Sequence, residues 1–180
     1  RLDDRLTLRA EAIDACDLVI RCNSLVLDEP GRPPVVGGRV DVVVFNRLLR
    51  AAPRVFDSYR DRLYLMVEPG AVHHTGNRRP PRWPADLGHF VVPNREITLP
   101  LSDALAFSTL EERVWPTTGL MSVWIAMTLF PDAKLTIAGL IDCLIAIDLH
   151  VAVILHAGAG RNQPPHDHVF LQTAQVVNAS

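Results

Sequence analysis

The sequence predicts an α/β fold in which helices flank a mainly parallel sheet. Short runs of apolar, β-branched residues recur along the chain, as expected of strands that are buried on both faces of a parallel sheet. Segments of helical character and proline-rich loops separate these runs. The 180 residues, 48% hydrophobic and 21% charged, fit one domain that spans residues 1–180.

The apolar runs predict six short strands. In chain order they are Leu18–Ile20, Val40–Phe45, Leu63–Val67, a short strand at Phe90–Val92, Leu135–Ala138 and Val151–Leu155. Four segments between them are candidate helices: Asp3–Ala15, Asn46–Ala52 before Pro53, Asp103–Glu112 and Gly119–Phe130.

The segment Gly119–Phe130 is the strongest helix candidate. Pro116, Thr117 and Thr118 precede it, and a hydroxyl side chain at this point is a good helix cap. Pro131 follows it and turns the chain toward the next strand. A helix, a short turn and a strand in this order form half of a βαβ unit.

Composition excludes several classes of protein. Eighteen basic and twenty acidic residues leave a net charge of −2, so no basic field is available to hold a nucleic acid. Cys16, Cys22 and Cys143 are too few for a disulfide framework, and none forms a CxxC pair typical of structural zinc. The apolar stretch 135–158 contains Asp142 and Asp148, which favours buried core over a transmembrane span.

A proline-rich stretch over residues 69–100 interrupts the pattern. It contains the sequence RRPPRWP and three histidines, and it predicts a long loop insertion. A second loop is expected at 158–165, where GAG is too short for a dinucleotide fingerprint.

Polar residues end two of the predicted strands. Asn23 follows CDLVIRC and Asn46 follows VDVVVF, and ligands of open α/β sheets bind beyond the carboxyl ends of strands. An asparagine offers a donor and an acceptor to a base or ribose edge. The alternative is that both are turn or cap residues, which asparagine also favours.

The start of the helix at Thr117, Thr118 and Gly119 is a second candidate. Free backbone N–H groups and the positive end of the helix dipole make such a start an anion site. The alternative is a simple threonine cap.

Histidines form the third candidate. His166 and His168 lie in PPHDHVFL, and a histidine near neutrality suits general-base work on a hydroxyl. The alternative is a metal or hydrolytic site that also uses His73 and His74, although no further ligand of obvious spacing accompanies them.

Four motifs together resemble the sialyltransferases. In chain order they are IDACDLVIRCN, GGRVDVVVFN, PTTGLMSVWIAMTLFPDAKLTIAGL and HDHVFL. The first resembles the large motif of the family, in which a strand ends in R-x-N, and the second resembles the next strand, which ends in an aromatic residue and Asn in bacterial members. The third resembles the small motif of the family. The fourth resembles its closing His-Asp-x-x-Phe-Glu motif. The resemblance extends over about two-thirds of the chain.

This resemblance implies a Rossmann-like domain that binds CMP-sialic acid without a metal or other cofactor. An acceptor hydroxyl of a glycan attacks the anomeric carbon with inversion, and CMP leaves. By this resemblance, Asn23 and Asn46 contact the nucleotide, and the helix start at Thr117, Thr118 and Gly119 binds the phosphate or carboxylate of the donor. Gly139 allows close approach of the nucleotide. His166 is the general base. The implied location is the cytoplasm, at the inner face of the membrane, with no nucleic-acid partner.

The sequence departs from the family at several points. The family begins with a strand and a glycine–asparagine loop that touches the nucleotide, and the present sequence starts after that point. Either this strand lies upstream of Arg1 or part of the site is lacking. Leu171 stands where the closing motif has glutamate, and the second histidine or tyrosine of the family has no clear match. The departures keep two alternatives open, namely a nucleotide-binding relative without catalysis and a structural protein without a small-molecule ligand.

Overall fold

The structure, a computed structural model, describes residues 9–23, 25–47, 54–68, 83–106, 111, 115–138 and 152–156. Its strands are β1 (Leu18–Cys22), β2 (Val42–Asn46), β3 (Leu63–Val67), β4 (Phe90–Val91), β5 (Lys134–Ala138) and β6 (Ala152–His156). Its helices are α1 (9–14), α2 (Thr98–Ala104) and α3 (Thr118–Leu129), with a 3-10 turn at Tyr59–Asp61. All six predicted strands are confirmed, with bounds that differ by two residues or fewer.

The six strands form one sheet in the order β4-β3-β2-β1-β6-β5. Neighbours from β1 to β4 pair in parallel, which confirms the α/β prediction and the mainly parallel sheet. β6 is the exception, because it pairs antiparallel with both β1 and β5. The apolar run of β6 has the same character as the runs that form the parallel strands, so the sequence did not predict this reversal.

The order of the strands reverses at β1. From β1 the chain adds β2, β3 and β4 on one side, and then returns to the other side for β5 and β6. In open α/β sheets, ligands bind beyond the carboxyl ends of parallel strands, which here are the ends of β1 to β4.

α3 confirms the strongest helix prediction. The Oγ1 of Thr117 accepts a hydrogen bond from the backbone N of Leu120 at 3.2 Å, which satisfies one donor of the first turn. The helix ends at Leu129, and its C-cap Phe130 lies before Pro131, which disfavours a helical conformation in the residue that precedes it.

The other helix predictions were less accurate. α2 begins at Thr98, five residues before the predicted start at Asp103, because Pro100 is tolerated in a first turn, where backbone N–H groups have no helical partner. Helical residues 9–14 fall inside the predicted Asp3–Ala15. Asn46 ends β2 and does not begin a helix, and the rest of that predicted helix, 48–52, lies outside the described residues.

Apolar side chains cover both faces of the sheet. On one face, β1 and β2 pack against α3 through Ile20, Val44, Met121 and Ile125. On the other face, loop residues cover β2 and β3, and Phe45 meets Trp83 edge-to-face with ring centroids 5.1 Å apart. Burial on both faces agrees with the continuous apolar runs of the sequence.

The proline-rich stretch at 69–100 contains the predicted short strand and, in addition, the start of α2, which was not predicted there. Residues 69–82 lie outside the described part, but Trp83 and Leu87 are buried against the sheet. β4 and the start of α2 follow within the same stretch.

Candidate functional site

Three polar residues end three adjacent parallel strands. Asn23 directly follows β1, Asn46 is the last residue of β2, and Glu68 directly follows β3. The backbone N of Asn23 donates to the carbonyl of Val44 at 2.8 Å, so the pairing of β1 with β2 continues through this residue. Because parallel strands end at the same edge, the three residues form a polar row with Asn46 in the middle.

Asn46 connects this row to the start of α3. Its Nδ2 donates a hydrogen bond to the Oγ1 of Thr118 at 3.2 Å, although the two residues are 72 positions apart. Thr118 is the first residue of α3 and is 4% exposed. The sheet edge and the helix N-terminus therefore lie side by side.

The helix start combines a cap with a potential anion site. Thr117 is the cap residue, as in the capping alternative, and Thr118 and the buried Gly119 open the first turn. The first N–H groups of a helix have no acceptor within the helix and carry the positive end of its dipole. The arrangement suits a phosphate or carboxylate beside Asn46.

Asn23 combines the backbone conformation of a turn residue with a buried side-chain oxygen. Its φ of 49° lies in the left-handed region, which asparagine tolerates better than most residues. Its Oδ1 is buried, and none of the residues that the structure describes donates a hydrogen bond to it. The turn alternative accounts for the backbone of Asn23, whereas the buried acceptor is available to a donor from a ligand.

Glu68 has the same two properties and was missed by the sequence analysis. Its φ is also 49°, and its Oε1 is buried with no hydrogen-bond donor among the described residues. Burial raises the pKa of the Glu68 carboxyl, and the charge of Arg47 opposes the rise. The signal was present in the sequence, because Glu68 follows the apolar run RLYLMV just as Asn23 and Asn46 follow theirs.

Arg21, the arginine of the R-x-N motif, does not belong to the polar row. It is 5% exposed, and its guanidinium donates to the backbone oxygens of Arg39 at 2.9 Å, Val36 at 2.8 Å and Val26 at 3.4 Å. Burial lowers the pKa of the guanidinium, and nearby Asp14 and Asp28 oppose the decrease. Arg21 thus holds the loop that leaves Asn23.

Asp28 anchors the same loop from within. Its Oδ1 accepts from the backbone N of Val35 and Val36, each at 2.9 Å, and its Oδ2 accepts from that of Gly37 at 2.7 Å. Partial burial opposes ionisation, but the three backbone donors prevail and lower the pKa of the Asp28 carboxyl. The connection from β1 to β2 is therefore fixed by polar contacts of its own.

The remaining predicted site residues lie outside the described part of the chain. These are Gly139, the proposed base His166, and the histidines of the metal alternative, His73, His74 and His168. Within the ranges that the structure describes, no three His, Cys, Asp or Glu side chains are grouped so as to hold a metal ion. Over the same ranges, no helix has the length and apolar character needed to cross a bilayer.

Comparison of the chain with protein-family models, with curated proteins and with solved structures gave no match. Fold and site together define an α/β protein with a polar row at the carboxyl edge of its parallel strands and a capped helix N-terminus beside it.

Proposed function

We propose that this protein is a sialyltransferase-like glycosyltransferase with a Rossmann-like nucleotide site. On this proposal it transfers sialic acid, or a related nonulosonic acid, from a CMP-activated donor to a glycan hydroxyl. The observation that carries the proposal is the hydrogen bond between Asn46 and Thr118, 3.2 Å long. It joins two motifs that resemble separate parts of the family's donor site and lie far apart in the sequence.

The donor binds across the sheet edge and the helix start. Asn23 and Asn46 contact the nucleoside, and the backbone N–H groups of the Thr117–Gly119 turn contact the phosphate or the carboxylate. Donors at this position stabilise the negative charge that develops on CMP as the bond to the anomeric carbon breaks. Gly139, carried over from the resemblance, leaves room for the nucleotide.

The reaction requires a base for the acceptor. The acceptor oxygen forms a bond to the anomeric carbon, the bond from that carbon to the CMP phosphate breaks, and His166 takes the hydroxyl proton. The protein acts in the cytoplasm, at the inner face of the membrane, and uses no metal.

Titration calorimetry with CMP tests the nucleotide site. The parent is expected to bind CMP, and Asn46→Ala is expected to bind it about tenfold more weakly or not at all, because it removes a contact to the ligand and frees Thr118. Asn94→Ala is a matched control, since the Oδ1 of Asn94 accepts from Thr98 Oγ1 at the first residue of α2. Equal CMP affinity in the parent and Asn46→Ala contradicts the proposal.

Transfer from CMP-sialic acid tests the chemistry. His166→Ala is expected to retain CMP binding and to lose about a hundredfold or more in turnover at neutral pH, as is usual when a general base is removed. Full transfer activity in His166→Ala rules out His166 as the base.

A second function is favoured by one residue. Leu171 stands where the closing motif of the family has glutamate, and a relative without catalysis fits this change. It predicts that the parent binds CMP as above and shows no turnover with any acceptor.

A further inference from the structure

The polar row contains two buried side-chain acceptors. They are Asn23 Oδ1 and Glu68 Oε1, and no residue within the described ranges donates a hydrogen bond to either. β2 lies between β1 and β3, so Asn23 and Glu68 lie at the ends of the two strands that neighbour the strand of Asn46. A buried acceptor without a donor is costly, and most native structures avoid it.

Glu68 carries a second local cost. Its φ of 49° places a glutamate in the left-handed region, where residues other than glycine and asparagine are strained. Asn23 adopts the same φ at far smaller cost. Two unfavourable features at one residue are typical of positions that a functional site maintains.

Arg47 does not relieve the carboxyl group. Its Nη1 donates to the backbone oxygen of Glu68 at 3.2 Å, and its positive charge only partly offsets the burial of the carboxyl. Glu68 as a residue is only partly buried, so it lies near the surface at this edge of the sheet.

We infer that Glu68 is a ligand-binding residue of the carboxyl edge, and that its carboxyl group accepts a hydrogen bond from an O–H or N–H donor of the bound nucleoside. This inference rests on the proposed function, because it takes the nucleotide of that proposal as its ligand. CMP offers such donors on the ribose hydroxyls and on the amino group of cytosine. Glu68 is then a specificity residue as well as a contact.

The decisive variant is Glu68→Met, which keeps the length of the side chain and removes its acceptor. CMP affinity is expected to fall about tenfold, as for the loss of one hydrogen bond to a carboxylate. The thermal midpoint of the unliganded protein is expected to rise by roughly a few degrees, because the unpaired carboxyl no longer has to be buried. Glu68→Gln keeps one acceptor oxygen and is expected to lie between the parent and Glu68→Met in affinity.

Glu11→Met is the matched control. Glu11 is exposed on helical residues 9–14, which precede the amino end of β1, and methionine is a good helix former. CMP affinity and thermal midpoint are both expected to stay close to those of the parent.

Titration with UMP and with 2′-deoxy-CMP identifies the donor. UMP lacks the amino group of cytosine, and 2′-deoxy-CMP lacks one ribose hydroxyl. The parent is expected to discriminate against whichever compound lacks the group that Glu68 contacts, and Glu68→Met is expected to lose that discrimination.

The outcomes separate the inference from the proposed function. No binding of CMP by the parent overturns both. Equal CMP affinity and unchanged discrimination in Glu68→Met overturn only the inference. A lower thermal midpoint, or failure to fold, in Glu68→Met shows that the carboxyl is structural and also overturns it.

Discussion

Arg21 is a buried cation that is held by carbonyl groups. Three backbone oxygens, of Val26, Val36 and Arg39, accept from its guanidinium. A guanidinium suits this role, because it presents several donors in one plane and does not deprotonate in proteins. It lies two residues before Asn23, so its contacts fix the path of the chain as it leaves the polar row.

Removal of this side chain is expected to be strongly destabilising. Arg21→Met leaves three loop carbonyls without their donor, and the free energy of unfolding is expected to fall by about 3 kcal/mol. Urea denaturation measures the change. Arg32→Met is the control, because the Arg32 side chain is 74% exposed and pairs with Glu29 at the surface, so a change of about 0.5 kcal/mol or less is expected. Similar losses in the two variants contradict this account of Arg21.

At the scale of secondary-structure elements, α3 both packs on the sheet and contributes to the candidate site at the carboxyl ends of the strands. Its apolar side chains pack on β1 and β2, and its first residue binds Asn46. The position of the helix start is therefore set by core packing along its length and by the cap at Thr117. A shift of α3 along its axis moves the anion site relative to the nucleoside contacts.

The cap is testable by itself. Thr117→Ala removes the acceptor for Leu120 N and is expected to lower the free energy of unfolding by about 1 kcal/mol. Thr128→Ala removes the same side chain from the exposed last turn, where Oγ1 donates back to the carbonyl of Trp124, and is expected to be nearly neutral. Thermal or urea unfolding measures both variants. Equal losses of stability in Thr117→Ala and Thr128→Ala contradict a stabilising role for the cap.

For the whole molecule, the sequence predicted which segments form buried strands better than it predicted the direction in which each strand runs. Runs such as VDVVVFN identified β2 because burial on both faces leaves a continuous apolar pattern. The same reasoning found β6 but not its antiparallel pairing. The start of α2 was not predicted, because prolines are typical of loops. Pro100 is nevertheless compatible with the first turn of a helix.

The candidate site was predictable to a similar extent. The carboxyl ends of strands identified Asn23 and Asn46, and the same rule applied to β3 would have added Glu68. The contact between Asn46 and Thr118 depends on how α3 packs across the sheet, which no local pattern encodes. The inward position of Arg21 depends on the path of a loop that has no regular period.

β5 is the outermost strand on one side of the described sheet. Its first residue, Lys134, is exposed and is the only lysine in the chain. Charge at this position, lysine above all, discourages the sheet from adding strands of another molecule and so limits aggregation. Because the other seventeen basic residues are arginines, Lys134 is the one side chain that an amine-selective dye labels, and with the α-amino group blocked the dye reports on this border of the sheet.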